Sequence, residues 1–98
     1  PTLLRLIIAN LLENAVEYST GTIRVAGNDT RLEISNTVNG LTPEDLPKMF
    51  ERFWRKEAAR TNGHCGLGLV LARAAATALG LKLEADMPAK QTLRVTLQ

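Results

Sequence analysis

Two short stretches hold residues whose types and spacing could do chemistry. In the first, Gly63-His-Cys-Gly-Leu-Gly-Leu69 opens an apolar helical pattern. Unpaired N–H groups and the positive dipole end at a helix start favour an anion, and glycines let the backbone approach phosphate oxygens. The same residues also suit a plain tight turn. No Gly-Lys-Ser/Thr follows, so this is not a Walker A loop. No strand feeds into it, so it is not the dinucleotide fingerprint. In the second stretch, Asn10 and Asn14 are four apart and Glu17 lies three further on. That spacing puts all three on one helical stripe. Two amide oxygens and a carboxylate could hold Mg²⁺ with its retained waters and a phosphate; an ordinary polar helix face reads the same way.

The remaining reactive side chains have plainer readings. His64, the only histidine, reads as a surface residue beside the glycine turn rather than a phosphoacceptor. No partner marks Cys65 as a nucleophile. Trp54 and Tyr18 read as packing residues, Lys48 and Lys56 as solvated charges.

These stretches need elements to position them. From Thr2 to Tyr18, Leu4, Ile7, Ile8, Leu11, Ala15 and Val16 recur at helical spacing, and Ser19-Thr20-Gly21 ends the run. Ile23 and Val25, then Leu32 and Ile34, alternate with mostly polar neighbours around Gly27-Asn28-Asp29, which predicts an antiparallel hairpin with one face buried. Thr42-Pro43-Glu44-Asp45 predicts a short helix with Thr42 as N-cap and Pro43 at its first position. Residues 50 to 63 show no clean period and read as a mobile connection. Gly66 to Leu79 is apolar almost all round, broken by glycines, Arg73 and Thr77, and predicts a buried helix ended by Gly80. Leu81-Leu83-Ala85 and Leu93-Val95-Leu97 predict a second hairpin whose turn contains Pro88. The order predicts a two-layer α/β sandwich with a mostly antiparallel sheet, not a parallel doubly wound one.

Ninety-eight residues allow one core and one domain, 1–98. A net charge of +2 is too small to argue for a nucleic-acid partner. Lys48, Arg52, Arg55, Lys56 and Arg60 cluster in one stretch, as a local anion site or a solvated basic face. One cysteine permits no internal disulfide and fits a reducing compartment. No apolar run reaches the ~20 residues that span a bilayer, so the expectation is a soluble domain. Pro1 leads straight into helical pattern, as expected for a piece of a longer chain.

In order, these segments resemble the sequence boxes of the ATPase fold shared by histidine kinases, DNA gyrase and mismatch-repair ATPases. Asn10-Leu-Leu-Glu-Asn14-Ala-Val-Glu-Tyr-Ser19 matches the asparagine box, and Asn39-Gly-Leu-Thr-Pro-Glu-Asp-Leu46 the end of the first glycine box. Phe50-Glu-Arg-Phe-Trp-Arg55 matches the phenylalanine box, which within this order is particular to histidine kinases, and Gly63 to Leu69 the second glycine box. The resemblance covers almost the whole chain and implies a Bergerat-type sandwich that lacks the usual strand before the first helix. It implies that Asn14 is the Mg²⁺ ligand, assisted by Asn10, and that Asn36 and Gly40 lie on the adenine side. Arg55 and Arg60 would reach the triphosphate, the backbone of Gly66, Leu67 and Gly68 would line it, and Phe50 and Phe53 would anchor a lid.

The implied activity is transfer of the γ-phosphoryl group of Mg·ATP to a histidine on a separate dimerisation domain. The implied partners are that domain and a response regulator, in a homodimeric, membrane-anchored parent with this domain on the cytoplasmic side. Departures from the pattern support a rival reading, a degenerate domain kept for protein contacts. Asn36 stands where Asp usually accepts the adenine amino group, and a neutral acceptor makes a weaker bond. Val38 replaces a glycine, Glu17 stands where Lys or His is common, and Cys65 stands for Thr or Ser. Asn10 occupies the position of the gyrase-type general base, and an amide cannot take a proton at neutral pH. That argues against a water-activating ATPase, and against a serine kinase of the anti-sigma type, while leaving a histidine kinase intact.

Overall fold

The computed structural model describes residues 2–51 and 68–98. Helix α1 runs Thr2–Tyr18, strand β1 Ile23–Gly27 and strand β2 Leu32–Thr37. Two 3₁₀ turns follow, Pro43–Asp45 and Pro47–Phe50; then come helix α2 (Gly68–Ala78) and strands β3 (Leu83–Ala89) and β4 (Thr92–Leu97). The four strands form one antiparallel sheet in the order β1-β2-β4-β3. Both helices pack on the same side of it, giving the two-layer sandwich expected from the element order.

The register explains which sheet face is buried. Three rows cross the strands with apolar side chains: Leu32, Leu97 and Leu83; Val25, Ile34, Val95 and Ala85; Ile23 and Leu93 on either side of Asn36. The alternate rows carry polar residues, for example Arg24, Ser35, Arg94 and Asp86. On that outer face Arg94 grips Asp86 through two bonds, Nε to Oδ1 at 2.9 Å and Nη2 to Oδ2 at 2.6 Å. The hydrogen bond first, and the Asp86 charge second, hold the Arg94 guanidinium above the ordinary arginine range.

The core is built from Ile7, Leu11 and Ala15 of α1, Leu69, Ala72, Ala75 and Ala76 of α2, and Ile34, Leu83, Leu93, Val95 and Leu97 of the sheet. Three alanines on one face of α2 let the two helices approach closely, which larger side chains would prevent. Gly80 ends the α2 segment with φ +76, a conformation glycine adopts without steric cost. Leu81 N then donates to Ala76 O at 2.8 Å, turning the chain toward β3.

Four expectations need correction. Strand β1 has no buried face: all five residues are exposed, because it is the sheet edge beyond the reach of the helices. Val16 does not belong to the core stripe; at about 100° per residue it lies roughly 180° from Ile7, and it is 69% exposed. Helix α2 is not buried all round, since Leu71 is exposed on the side away from the sheet. Pro88 lies within β3, at a register irregularity between Asp86 and Ala89, and the turn is Lys90-Gln91. A proline is tolerated there because β3 is the other edge strand. The predicted connection at 50–63 lies almost wholly outside the described residues.

Candidate functional site

Helix α1 sorts its residues by angle. Relative to Ile7, Leu11 and Ala15 lie roughly 40° and 80° to one side, whereas Asn14, Asn10 and Glu17 lie roughly 20°, 60° and 80° to the other. The first set faces the core; Asn10 and Asn14 are half-buried at its margin. Glu17, on the same side, is buried at 8% exposure. Tyr18 packs against the core, as its sequence position suggested.

The Asn10 Nδ2 is buried and meets no acceptor among the described residues. Leaving such a donor unmatched costs about 1–3 kcal/mol, which native structures rarely accept without a use for it. A donor answers an acceptor: a phosphate oxygen fits this atom, a cation does not. No three of His, Cys, Asp and Glu come together among the described residues. The oxygen donors that Asn10 and Asn14 could offer a divalent ion are amides, few in number, as for an ion that keeps waters and takes few protein ligands.

Strand β2 brings a third amide to the same side of the sheet. Asn36 is 4% exposed and shares the inward face with Ile34, two residues before it. It is the polar exception in the three inward rows. Its Nδ2 donates to Thr37 O at 3.3 Å, which leaves the amide oxygen Oδ1 as the group still able to accept. The end of α1 is pinned beside it: Thr20 N donates to Thr37 O at 3.0 Å, and Thr37 N to Thr22 O at 3.3 Å. These backbone bonds tie the segment that follows α1 to the end of β2 that carries Asn36.

The loop after β2 continues into the core. Val38 is 3% exposed and its N–H donates to Gln91 O at 2.9 Å. Gly40 is exposed with φ +80, so the position demands glycine-like backbone freedom. It borders a groove of about 720 Å³ between this loop and the β3–β4 turn. The predicted cap is present: Thr42 N and Oγ1 donate to Asp45 Oδ2 at 3.0 and 3.2 Å. Gly68 is the first residue of α2. Arg55, Arg60, Gly66 and Leu67 lie outside the described residues, as do Phe53, Trp54, Lys56, Gly63, His64 and Cys65.

One contact was not foreseen from sequence. The Arg73 guanidinium sits over the Phe50 ring, 3.7 Å from its centroid, and Nη2 donates to Leu83 O at 3.1 Å. The available signal was Arg73 itself, a charge interrupting an apolar helix.

Residues 1–98 match the family of histidine kinase-, DNA gyrase B- and HSP90-like ATPases. The chain belongs to that family. Within it the similarity runs to sensor kinases. The sensor protein BceS of Halalkalibacterium halodurans is 36% identical over 86 residues, covering 82% of this chain and 26% of the relative. The sensor histidine kinase YkoH of Bacillus subtilis is 32% identical over 98 residues, covering 94% and 22%. The chain thus spans about a quarter of the length of these relatives. Among solved structures, the mycobacterial sensor histidine kinase MprB superposes with a TM-score of 0.75 at 24% identity, covering 98% of this chain and 68% of that one. Full-length ShkA in complex with AMPPNP gives 0.73 at 22% identity, covering 97% and 20%. At such identities the superpositions speak for the fold, and they agree with helices layered on a four-stranded antiparallel sheet. The chain is an ATPase domain of the sensor-kinase type, and among its described residues no helix is long and apolar enough to cross a membrane.

Proposed function

We propose that residues 1–98 form one domain that binds Mg·ATP and presents its γ-phosphate to a histidine on a separate dimerisation domain of the parent protein. The observation that carries this reading is Asn36, an amide buried in a sheet face that is otherwise apolar, on a strand whose end is tied to the segment after α1. Rules of patterning broken at a core position point to a ligand. In this reading Asn36 accepts the adenine amino group through Oδ1, Gly40 supports the loop beside it, and Asn14 is the metal ligand. Asn10 donates its unmatched Nδ2 to a phosphate oxygen. Arg55 and Arg60 reach the triphosphate, and the backbone of Gly66, Leu67 and Gly68 lines it. Mg²⁺, when bound, supplies neutralisation of the phosphate charge.

Asn10 offers no base to activate water, so the chemistry left to the domain is positioning and charge compensation for a nucleophile that needs no deprotonation, an imidazole. The parent is then a homodimeric, membrane-anchored sensor, with this domain on the cytoplasmic side and a response regulator as its downstream partner. The AMPPNP complex of full-length ShkA, a neighbour in fold, supports a nucleotide in this architecture.

Thermal shift of the chain with Mg·ADP tests the reading. Nucleotide at a hundred times its Kd adds ~2.7 kcal/mol of stability, and Asn14→Ala removes that gain. No shift at millimolar Mg·ADP overturns it in favour of the second reading, a degenerate module kept for protein contacts. That reading draws on Asn36 and on Val38, whose side chain fills the core at a position where the family pattern has glycine.

A further inference from the structure

Arg73 is the only charged residue of α2, and no role in the proposed nucleotide chemistry accounts for it. An arginine free in solvent would keep its rotamer freedom, whereas this one is committed at both ends of its guanidinium. Its Cζ lies 3.7 Å from the centroid of the Phe50 ring, and its Nη2 donates to Leu83 O at 3.1 Å. One side chain therefore joins α2, the 3₁₀ turn Pro47–Phe50 and the start of β3. Phe50 is half-buried against the core beside Met49, which is 5% exposed. Its turn is wound by Met49 N to Leu46 O at 3.2 Å and Glu51 N to Lys48 O at 2.9 Å.

Phe50 opens the phenylalanine box, and Arg73 lies five residues after Gly68, about 7.5 Å along the axis from the start of α2. The cation–ring contact thus fixes the first residue of one nucleotide box on the helix that the other box opens. We propose that Arg73 is a positioning residue for nucleotide binding: it seats Phe50 on α2, and so sets the fraction of molecules in which Phe50 and the helix that begins at Gly68 stand in register. This rests on the nucleotide reading above. Apparent affinity falls by the fraction in which Phe50 is unseated.

The test uses the full 98-residue chain, wild type and the variants Arg73→Met, Arg73→Lys, Phe50→Leu and the double Arg73→Met/Phe50→Leu. Calorimetry reads Mg·ADP affinity, and NMR hydrogen exchange without nucleotide reads the Met49 and Glu51 amides. Arg73→Met and Phe50→Leu each weaken Mg·ADP about three- to thirty-fold, the range of one cation–π contact. The double variant is no weaker than the worse single, because both remove the same contact. Arg73→Lys keeps a cation over the ring and stays near wild type, in affinity and in exchange, whereas Arg73→Met exchanges faster at both amides. If Arg73→Met does not fold, Phe50→Leu decides the matter by the same readouts. Wild-type affinity in Arg73→Met, or losses that multiply in the double variant, overturns the role of Arg73 alone. A wild-type chain that takes up no Mg·ADP overturns the nucleotide reading and this role with it.

Discussion

Asn36 on β2 stands directly across from Leu93 on β4, so a carboxamide occupies a place in a buried row that its neighbours fill with hydrocarbon. Leu93 is fully buried, and on the other side Ile23 completes the row. The amide is tolerated because Nδ2 has a partner, the carbonyl of Thr37 at 3.3 Å. The arrangement divides the side chain into an end that serves the fold and an end that can serve a ligand.

Replacing Asn36 by Asp separates those two ends. The carboxylate cannot donate to Thr37 O, and burial beside a carbonyl disfavours its charge, so its pKa in the folded chain rises above the unfolded value. An acid with a raised folded pKa binds more protons when folded, and stability then falls as pH climbs through the window between the two values. Asn36→Asp therefore destabilises the free chain and lowers its melting temperature, more at pH 8 than at pH 5, with a loss of about 1–3 kcal/mol at the higher pH. Saturating Mg·ADP recovers part of the loss, because a charged acceptor bonds the adenine amino group more strongly. Equal melting of variant and wild type at both pH values would show that the Thr37 bond does not hold Asn36.

Helix α1 makes a second claim, about angle. Ile7 has no exposed surface and Val16 is 69% exposed, although both look alike in an apolar list. Ile7→Val costs about 0.5–1.5 kcal/mol. Val16→Ala stays within about 0.5 kcal/mol of wild type, as surface changes do. Chemical denaturation of the two variants checks the pair, and similar losses at both positions would contradict the packing described.

Much of this was legible in the sequence, and the parts that were not share a cause. The hairpin of β1 and β2 follows from alternation, and the cap at Thr42 from residue type, both local properties. Whether an alternating strand is covered is a property of the whole sheet, and Ile23 and Val25 do not say that β1 is an edge. An apolar count places Val16 and Leu71 inward because it ignores which side of the helix each occupies. Pro88 was given to the turn because proline punctuates chains, yet an edge strand accepts it. In the site, Asn14 and Asn36 stood out by type and order, while Arg73 did not, because its partner Phe50 is twenty-three positions away in sequence and only the fold brings them together.

The β3–β4 turn stores a small strain. Gln91 has φ +62, the left-handed region that non-glycine residues enter at a cost. Its carbonyl, which accepts from Val38 N at 2.9 Å, is backbone and survives substitution. Gln91→Gly relieves the strain, gives back some of it in unfolded-chain entropy, and leaves a net gain of about 0.5–1 kcal/mol. The melting temperature rises by a few degrees. A variant no more stable than wild type would mean that the side chain of Gln91 contributes something the backbone angle does not show.

Asn10 supplies the sharpest contrast between stability and function. Its Nδ2 is buried without an acceptor among the described residues, so the ligand-free chain carries the cost of a desolvated donor. Asn10→Leu replaces the amide with a hydrocarbon of similar size and removes that cost. The free variant is expected to gain about 1–2 kcal/mol, and each kcal/mol moves the midpoint of a domain this size by roughly 4–8 °C. The same change removes the donor offered to a phosphate oxygen, so the stabilisation by Mg·ADP shrinks or disappears. Melting curves with and without nucleotide then cross: the variant melts higher than wild type when both are free, and lower when both are saturated. A variant destabilised in the free state would mean that the amide already has a partner, and its assignment to a ligand would fall.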